Sequence, residues 1–302
     1  MRRFAALVSV PVLLATAACS GSSHETTAAI GTLASVKVAG PTTSPPTVSF
    51  KAPITFEKTA SKVVQKGAGT GPAIDKTSMV TVQYVAINAS DESVFGSSWK
   101  GGPTTFYVNT VVKGFADGLI GAHAGDRVLI GSRARDAFGV TGNLASTVRP
   151  GDAVIFVVDI VKIAPELSTP SGVPRLTYDA DGNPAKFTAD AQTPKNPTSL
   201  GVYPIVKGPG PVLKTGDSIS VEYFGQIYPD GDVFNPWTGQ SFDLVLGAGN
   251  VIKGWDTGLV GQRVGSRVEL VIPPAFGYGD KAQSGIPAGS TLVFTVQIVS
   301  VS

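Results

Sequence analysis

The sequence predicts an α+β chain made of two tandem copies of one mainly β domain, each with one short helix. Three observations carry this. First, Val111-Val112-Lys113-Gly114-Phe115-Ala116-Asp117-Gly118-Leu119-Ile120-Gly121 returns 140 residues later as Val251-Ile252-Lys253-Gly254-Trp255-Asp256-Thr257-Gly258-Leu259-Val260-Gly261. Gly125-Asp126-Arg127-Val128 recurs at the same spacing as Gly265-Ser266-Arg267-Val268, and Val80-Thr81-Val82-Gln83-Tyr84 recurs 139 residues on as Ile219-Ser220-Val221-Glu222-Tyr223. A repeat this long closes its own core, so the copies are tandem domains and not turns of a solenoid. Second, alternating apolar and polar runs predict strands over 79–87, 127–131 and 153–163 in the first copy, and over 218–227, 267–272 and 291–299 in the second. Third, 36 glycines and 22 prolines set between short Val, Ile, Thr and Phe runs supply the turns that many short strands need. Residues 253–260 are too broken by glycine and too irregular for a strand, and a short helix is expected there.

From the N-terminus, Arg2 and Arg3 precede an apolar run over residues 4–15 and then the small residues Thr16-Ala17-Ala18 before Cys19. This has the three parts of an export signal. The apolar run falls short of the about 20 residues a transmembrane helix needs. Cys19 is the sole cysteine, so it cannot staple the chain internally. Its surroundings resemble a bacterial lipobox, with Thr16 in place of the commoner leucine, which implies cleavage after residue 18 and a lipid on the Cys19 thiol. Residues 19–50 are rich in Ser, Thr, Ala, Gly and Pro and are expected to be a flexible tether. The first domain is expected over 51–165. A linker and the opening strand of the second domain begin at 166, and that domain runs to 302.

With 42% hydrophobic and 15% charged residues the chain reads as packed globular material. A net charge of +2 and the lack of a Lys/Arg stripe give nucleic acid no electrostatic footprint. Two isolated histidines, His24 and His123, make no metal site, and the glycine-rich stretches lack the spacing of a phosphate loop. No cofactor is expected.

The second copy resembles FKBP-type peptidyl-prolyl cis/trans isomerases in the order and spacing of many fragments. These include Gly216-Asp217, Val221-Glu222-Tyr223, Val233-Phe234, Val251-Ile252-Lys253-Gly254-Trp255, Ile272-Pro273-Pro274, Phe276-Gly277-Tyr278-Gly279, Ile286-Pro287 and Thr291-Leu292-Val293-Phe294. The resemblance implies an antiparallel sheet of five or six strands curled around one short helix. It implies Trp255 as the pocket floor and Tyr223, Phe242, Val251, Ile252 and Phe294 as walls, with Phe234, Asn235 and Ile286 completing the frame. The Ile252 N–H and the Tyr278 hydroxyl would orient the substrate's carbonyls. Proline-containing segments of exported proteins would be the partners, macrolides the inhibitors, and the lipid on Cys19 the link to the membrane.

Such a reaction needs no nucleophile, metal or acid/base pair. Rotation about an X-Pro bond is slow because amide resonance must be broken, at about 18–20 kcal/mol. A thousandfold acceleration requires only about 4 kcal/mol. The family's usual aspartate after the phenylalanine is replaced by Asn235, and the loop to Phe242 is short. In the first copy the replacements go further, with Gly96 for that aspartate, Phe115 for the tryptophan, Phe138 for the tyrosine and no Ile-Pro pair between residues 140 and 151. The first domain is therefore expected to bind or to space without turnover. A holdase and a pair of membrane-tethered spacers are the competing readings of the whole chain.

The export reading makes one test direct. Replacing Cys19 by serine is expected to move the protein from the membrane fraction to the soluble envelope fraction or medium. An unmodified Cys19 thiol in the intact mass of membrane-associated protein would refute it.

Overall fold

The computed structural model describes residues 29–69, 71–143 and 146–302. The expected export signal and Cys19 lie outside them. Each repeat forms a six-stranded antiparallel sheet. In domain one the strand Met79–Asn88 pairs with Val154–Ile163, which pairs with Arg127–Ser132 and then Ala60–Gln65; the short strands Val94–Ser97 and Thr104–Tyr107 add to the free side of Met79–Asn88. Domain two repeats the order with Gly201–Val206, Arg267–Ile272, Leu292–Val301 and Ser218–Ile227, flanked by Val233–Asn235 and Phe242–Val245. The expected strand over 218–227 and the one over 267–272 coincide with observed strands. The short strands Val94–Ser97, Thr104–Tyr107, Val233–Asn235 and Phe242–Val245 were not expected, because they carry little alternation, and the opening strand of domain two, expected within the linker, lies beyond it at Gly201–Val206 while the linker forms a hairpin of its own.

One helix lies in the hollow of each sheet, α1 at Lys113–Leu119 and α2 at Lys253–Gly258, so the helix expected over 253–260 ends two residues early. Both rest on the strand that follows them. A Cβ at Gly254 would lie 2.7 Å from Ile272 Cγ2, so glycine is what lets α2 approach the sheet. Side chains of alternate strand residues fill the space between helix and sheet, among them Leu259, Val268, Leu270 and Ile272 in domain two.

The outer faces of the sheets are also apolar and need a cover. In domain one Val85, Ile87, Leu129, Ile155 and Val157 are buried beneath Val36, Ile54 and Phe56 of the preceding segment. That segment forms the hairpin Lys37–Ala39 with Thr47–Ser49, and Ala29–Ile30 pairs with Ile54–Thr55. Arg127 fastens it: its guanidinium donates to the carbonyls of Gly40 at 2.7 Å, Pro41 at 3.0 Å and Ser44 at 3.1 Å, and to both carboxylate oxygens of Asp159 at 2.6 and 2.8 Å. The expectation of a flexible tether over 19–50 is thus corrected for residues 29–50, which belong to domain one. Their composition cannot sustain a core, yet they borrow one from the sheet.

Domain two is covered by the linker and by domain one. The hairpin Arg175–Tyr178 with Pro184–Thr188 seats Phe187 against Phe224, Tyr228, Val271 and Val293. Met79 and Tyr107 of domain one pack with Ile205 and Val206. Arg267, the repeat of Arg127, has no carboxylate opposite, since Gln297 stands where domain one has Asp159. Its guanidinium lies 4.3 Å from the Tyr107 ring centroid and 5.6 Å from that of Tyr178, and donates to the Tyr178 hydroxyl and Gln297 Oε1, both at 3.3 Å. The Tyr107 hydroxyl donates to the Gly265 carbonyl at 3.1 Å.

Beside Arg267 the outer face buries Glu269, whose Oε2 has no hydrogen-bond partner among the described residues, as is true of Glu222 Oε2 and Thr295 Oγ1. Burial pushes the Glu269 carboxyl up to about 8 against the opposing pull of Arg267. A raised carboxyl favours the fold below its ordinary range, and that contribution is lost as pH rises through 8. Glu269→Gln is therefore expected to match the wild type near pH 4.5 and to exceed it increasingly up to about pH 8, by at most about 1.4 kcal/mol per pH unit. Denaturant unfolding of both proteins at pH 5, 7 and 9 checks this; parallel curves would clear Glu269 of the effect.

Candidate active-site cleft

In domain two, the sheet hollow opens at one end, where the strand Ser218–Ile227 sends Tyr223 inward and the chain entering α2 passes across the mouth. All ten residues singled out from the sequence meet there. Tyr223, Phe234, Asn235, Phe242, Val251, Ile252, Trp255, Tyr278, Ile286 and Phe294 line one cavity of about 390 Å³. Trp255 is buried at its base and packs edge-on against Tyr223 at 4.9 Å and Phe294 at 5.4 Å between ring centroids. Phe234 meets Phe294 at 5.4 Å, and Phe242 stands at the mouth against Tyr223 at 5.9 Å. These edge-to-face contacts set positive ring edges against negative faces and hold the walls in one arrangement.

Polar side chains share the lining with the aromatic walls: Tyr223, Asn235, Asn250, Tyr278, Gln283 and Ser284. The Ile252 N–H, just before α2, has no acceptor among the described residues, and neither has the Trp255 indole N–H. Burial raises the Tyr223 hydroxyl above the ordinary tyrosine range, with Tyr278 adding to the shift, so Tyr223 stays neutral at physiological pH. Asn235 turns its amide to the carbonyls of Tyr223 and Pro236, both at 3.4 Å, so in this cleft it braces its own loop and carries no charge. No group of three or more potential metal ligands occurs among the described residues.

Five contributors escaped the sequence reading. Asn250, Gln283 and Ser284 line the cleft, and only their position in the folded loops brings them there. Asp256 accepts from the Gly247 N–H at 2.8 Å and the Gly249 N–H at 3.0 Å, which fixes the loop that presents Asn250, Val251 and Ile252. Gly225 also went unremarked, although a glycine inside a strand signals close approach. A Cβ there would come within 2.7 Å of the Phe234 ring and 2.8 Å of Phe294, so the pairing of those rings depends on it.

The family model described as FKBP-type peptidyl-prolyl cis-trans isomerase matches residues 71–161 and again 210–299. Together these cover more than half of the chain. The chain belongs to the FKBP-type peptidyl-prolyl cis-trans isomerase family. Its two FKBP domains are the two sheets described above. An FK506-binding protein of Streptomyces anulatus is 41% identical over 109 residues, spanning 35% of this chain and 88% of that protein. FK506-binding protein 4 of Mycosarcoma maydis is 42% identical over 117 residues, 38% of this chain, and the match spans only 31% of that protein's length. Among solved structures, the three FKBP domains of wheat FKBP73 align over 80% of this chain and 94% of that one at 19% identity and a TM-score of 0.35.

The FKBP cleft of domain one is built differently. It measures about 550 Å³ and is lined by Tyr84, Phe95, Gly96, Phe106, Phe115, Phe138 and Phe156, with Asn143 and Ser146 from the following loop, in which buried Val148 takes the place of Ile286. Ala86 occupies the place of Gly225, and Phe95 now meets Phe138 at 5.8 Å instead of the phenylalanine on the neighbouring strand. At the floor, Phe115 replaces Trp255 while Phe106 replaces Leu244, which pairs with Ile219 as Phe106 pairs with Val80. The rings of Phe106 and Phe115 touch at 5.7 Å. A large residue has shrunk as its neighbour has grown, which conserves the filled volume.

This exchange predicts coupled substitutions. Phe115→Trp alone is expected to overpack domain one and cost about 1–3 kcal/mol. Adding Phe106→Leu should recover most of that loss, a coupling that a double-mutant cycle of unfolding free energies will expose. Additive effects of the two changes would show that the side chains do not share space.

Proposed function

We propose that domain two catalyses rotation about X-Pro bonds in exported proteins, and that the chain does so outside the cytoplasmic membrane, held there by a lipid on Cys19. The observation that carries the catalytic part is the convergence, in one cleft, of a buried tryptophan floor, aromatic walls and an unpaired main-chain N–H. Planar amides are the more dipolar state and are favoured by water, whereas the twisted transition state has lost resonance. A cleft that strips water from the bond and sets it among aromatic rings therefore raises the planar state relative to the twisted one. The Ile252 N–H and Tyr278 hydroxyl hold flanking carbonyls, so rotation is confined to one bond. Ile286 shields the proline ring, and Asn235 keeps the wall carrying Phe234 in place. A macrolide that fills the same cleft would compete with the peptide.

Domain two carries the turnover in this proposal, since domain one has Gly96, Phe115 and Phe138 at the corresponding positions. The export signal, Cys19 and the run of small residues support the location.

Two substitutions separate the roles. Trp255→Leu removes floor area and is expected to weaken peptide and macrolide binding by about 1–3 kcal/mol. Tyr278→Phe keeps the shape and deletes one hydrogen bond, costing about 0.5–1.5 kcal/mol in kcat/KM. A protease-free isomerisation assay on the full chain measures both. Unchanged activity and binding in both variants would place the reaction elsewhere.

A further inference from the structure

The outer faces of the two sheets carry the same row of three polar residues with two of its members exchanged. Across neighbouring strands domain one has Arg127, Asp159 and Gln83, and domain two has Arg267, Gln297 and Glu222. In domain one the row is closed, since Asp159 holds the guanidinium and Gln83 accepts from the Ser98 hydroxyl. In domain two the acid stands one strand further out and makes no ion pair with Arg267. Arg267 donates instead to Gln297 Oε1, which orients that amide and leaves its NH2 group without an acceptor among the described residues. The Glu222 carboxyl has no donor among them. Directly opposite residues on adjacent strands hold their Cβ atoms about 4.5–5.5 Å apart, so a free donor and a free acceptor stand side by side. Both line a cavity of about 290 Å³ between the domains, whose walls are otherwise largely apolar, with Met79, Phe106 and Tyr107 from domain one and Pro209, Val264 and Val299 from domain two. Gln297 is only 5% exposed, so its unpaired amide belongs to a built pocket and not to the open surface.

We propose that this cavity is a binding site for a small neutral carboxamide carried on a compact aromatic or alicyclic body. The ligand N–H donates to Glu222, its C=O accepts from the Gln297 amide, and its ring lies among the apolar walls. The pair of polar groups selects the head group. A carboxylate would meet Glu222 with no proton to donate, and an ammonium would meet the Gln297 NH2 with no acceptor to offer. A purely apolar molecule would strip water from both groups and leave them unpaired. An amide fits Glu222 in either protonation state, because a carboxylate and a carboxyl both keep an oxygen that accepts. The volume lies at the small end of ligand pockets, which suits one ring and its head group and not a length of polypeptide. Since the walls come from both domains, a ligand here would favour the docked arrangement over the separated one. The cavity shares no lining residue with the cleft around Trp255, so the site does not depend on where isomerisation occurs.

The test titrates 4-fluorobenzamide into the full chain at about pH 8 and follows it by fluorine NMR, with 4-fluorobenzoate and 4-fluorobenzylamine as probes that share the ring and differ in the head group. Saturable binding of the amide at millimolar concentration is expected, at least tenfold tighter than that of either other probe. Glu222→Leu should weaken it at least tenfold, whereas Glu222→Gln, whose side-chain oxygen still accepts, should stay within threefold of the wild type. Val299→Trp, at a strand position that is 42% exposed and therefore tolerant of size, should fill the cavity and abolish binding. Trp255→Leu should leave the affinity within twofold. The proposal is overturned by the absence of saturable binding at millimolar amide, by equal or tighter binding of the benzoate or the benzylamine, or by binding lost with Trp255→Leu and kept with Val299→Trp. Because the readout is binding of a small amide, failure here is separable from a failure of isomerisation.

Discussion

A sheet curled around a helix has one apolar face too many, and the cover of the outer face organises this molecule. The same arginine solves the problem in both repeats with different partners. Arg127 is buried with Asp159 and three carbonyls of the segment laid over it, whereas Arg267 is buried with Gln297 and sandwiched by tyrosines from domain one and from the linker hairpin. A buried guanidinium without partners would be costly, so each cover is tied to its sheet by the need to satisfy that group. In domain one the result is a stitched hairpin; in domain two it is the domain junction itself. The unpaired carboxylate oxygens of Glu222 and Glu269 lie next to Arg267, where domain two has fewer polar partners to offer.

The inner faces diverge by small trades. Gly225 admits two rings that Ala86 separates, and Leu244 with Trp255 becomes Phe106 with Phe115. Neither trade disturbs the sheet, because each preserves close packing and no strand changes its register. Chemistry is more sensitive than stability to these trades. A hydroxyl and an amide disappear from domain one and Val148 stands in for Ile286, while the aromatic box around Phe115 survives.

Much of this was legible in the sequence. The repeat announced two domains, the alternating runs placed the long strands, and the ten residues taken from the motif order of domain two line one cavity. Trp255 and Tyr278 stand in distinctive local sequences, and that made them readable. The covers were not readable. Residues 29–50 look like a tether because no window of that segment contains a core of its own; the apolar surface it needs belongs to Leu129 and Ile155, about a hundred residues later. Asp256 and Asn250 were missed for a related reason, since a hydrogen bond from a loop to a helix leaves no periodic trace. The Phe106 for Leu244 exchange stayed hidden because the offset between the repeats drifts in that loop, and only the strand register restores the alignment.

Each cover precedes its sheet in the chain, and this gives the order of synthesis a structural meaning. When the strands of domain one emerge, the segment that will close over them is already free, so their outer face need not wait exposed. By the time Arg267 and Leu292–Val301 are made, both the linker hairpin and a finished domain one are at hand. Domain two can then assemble directly against a folded surface. The reverse arrangement, with covers at the C-terminal side, would leave two apolar sheets open while the ribosome still held the residues needed to shield them.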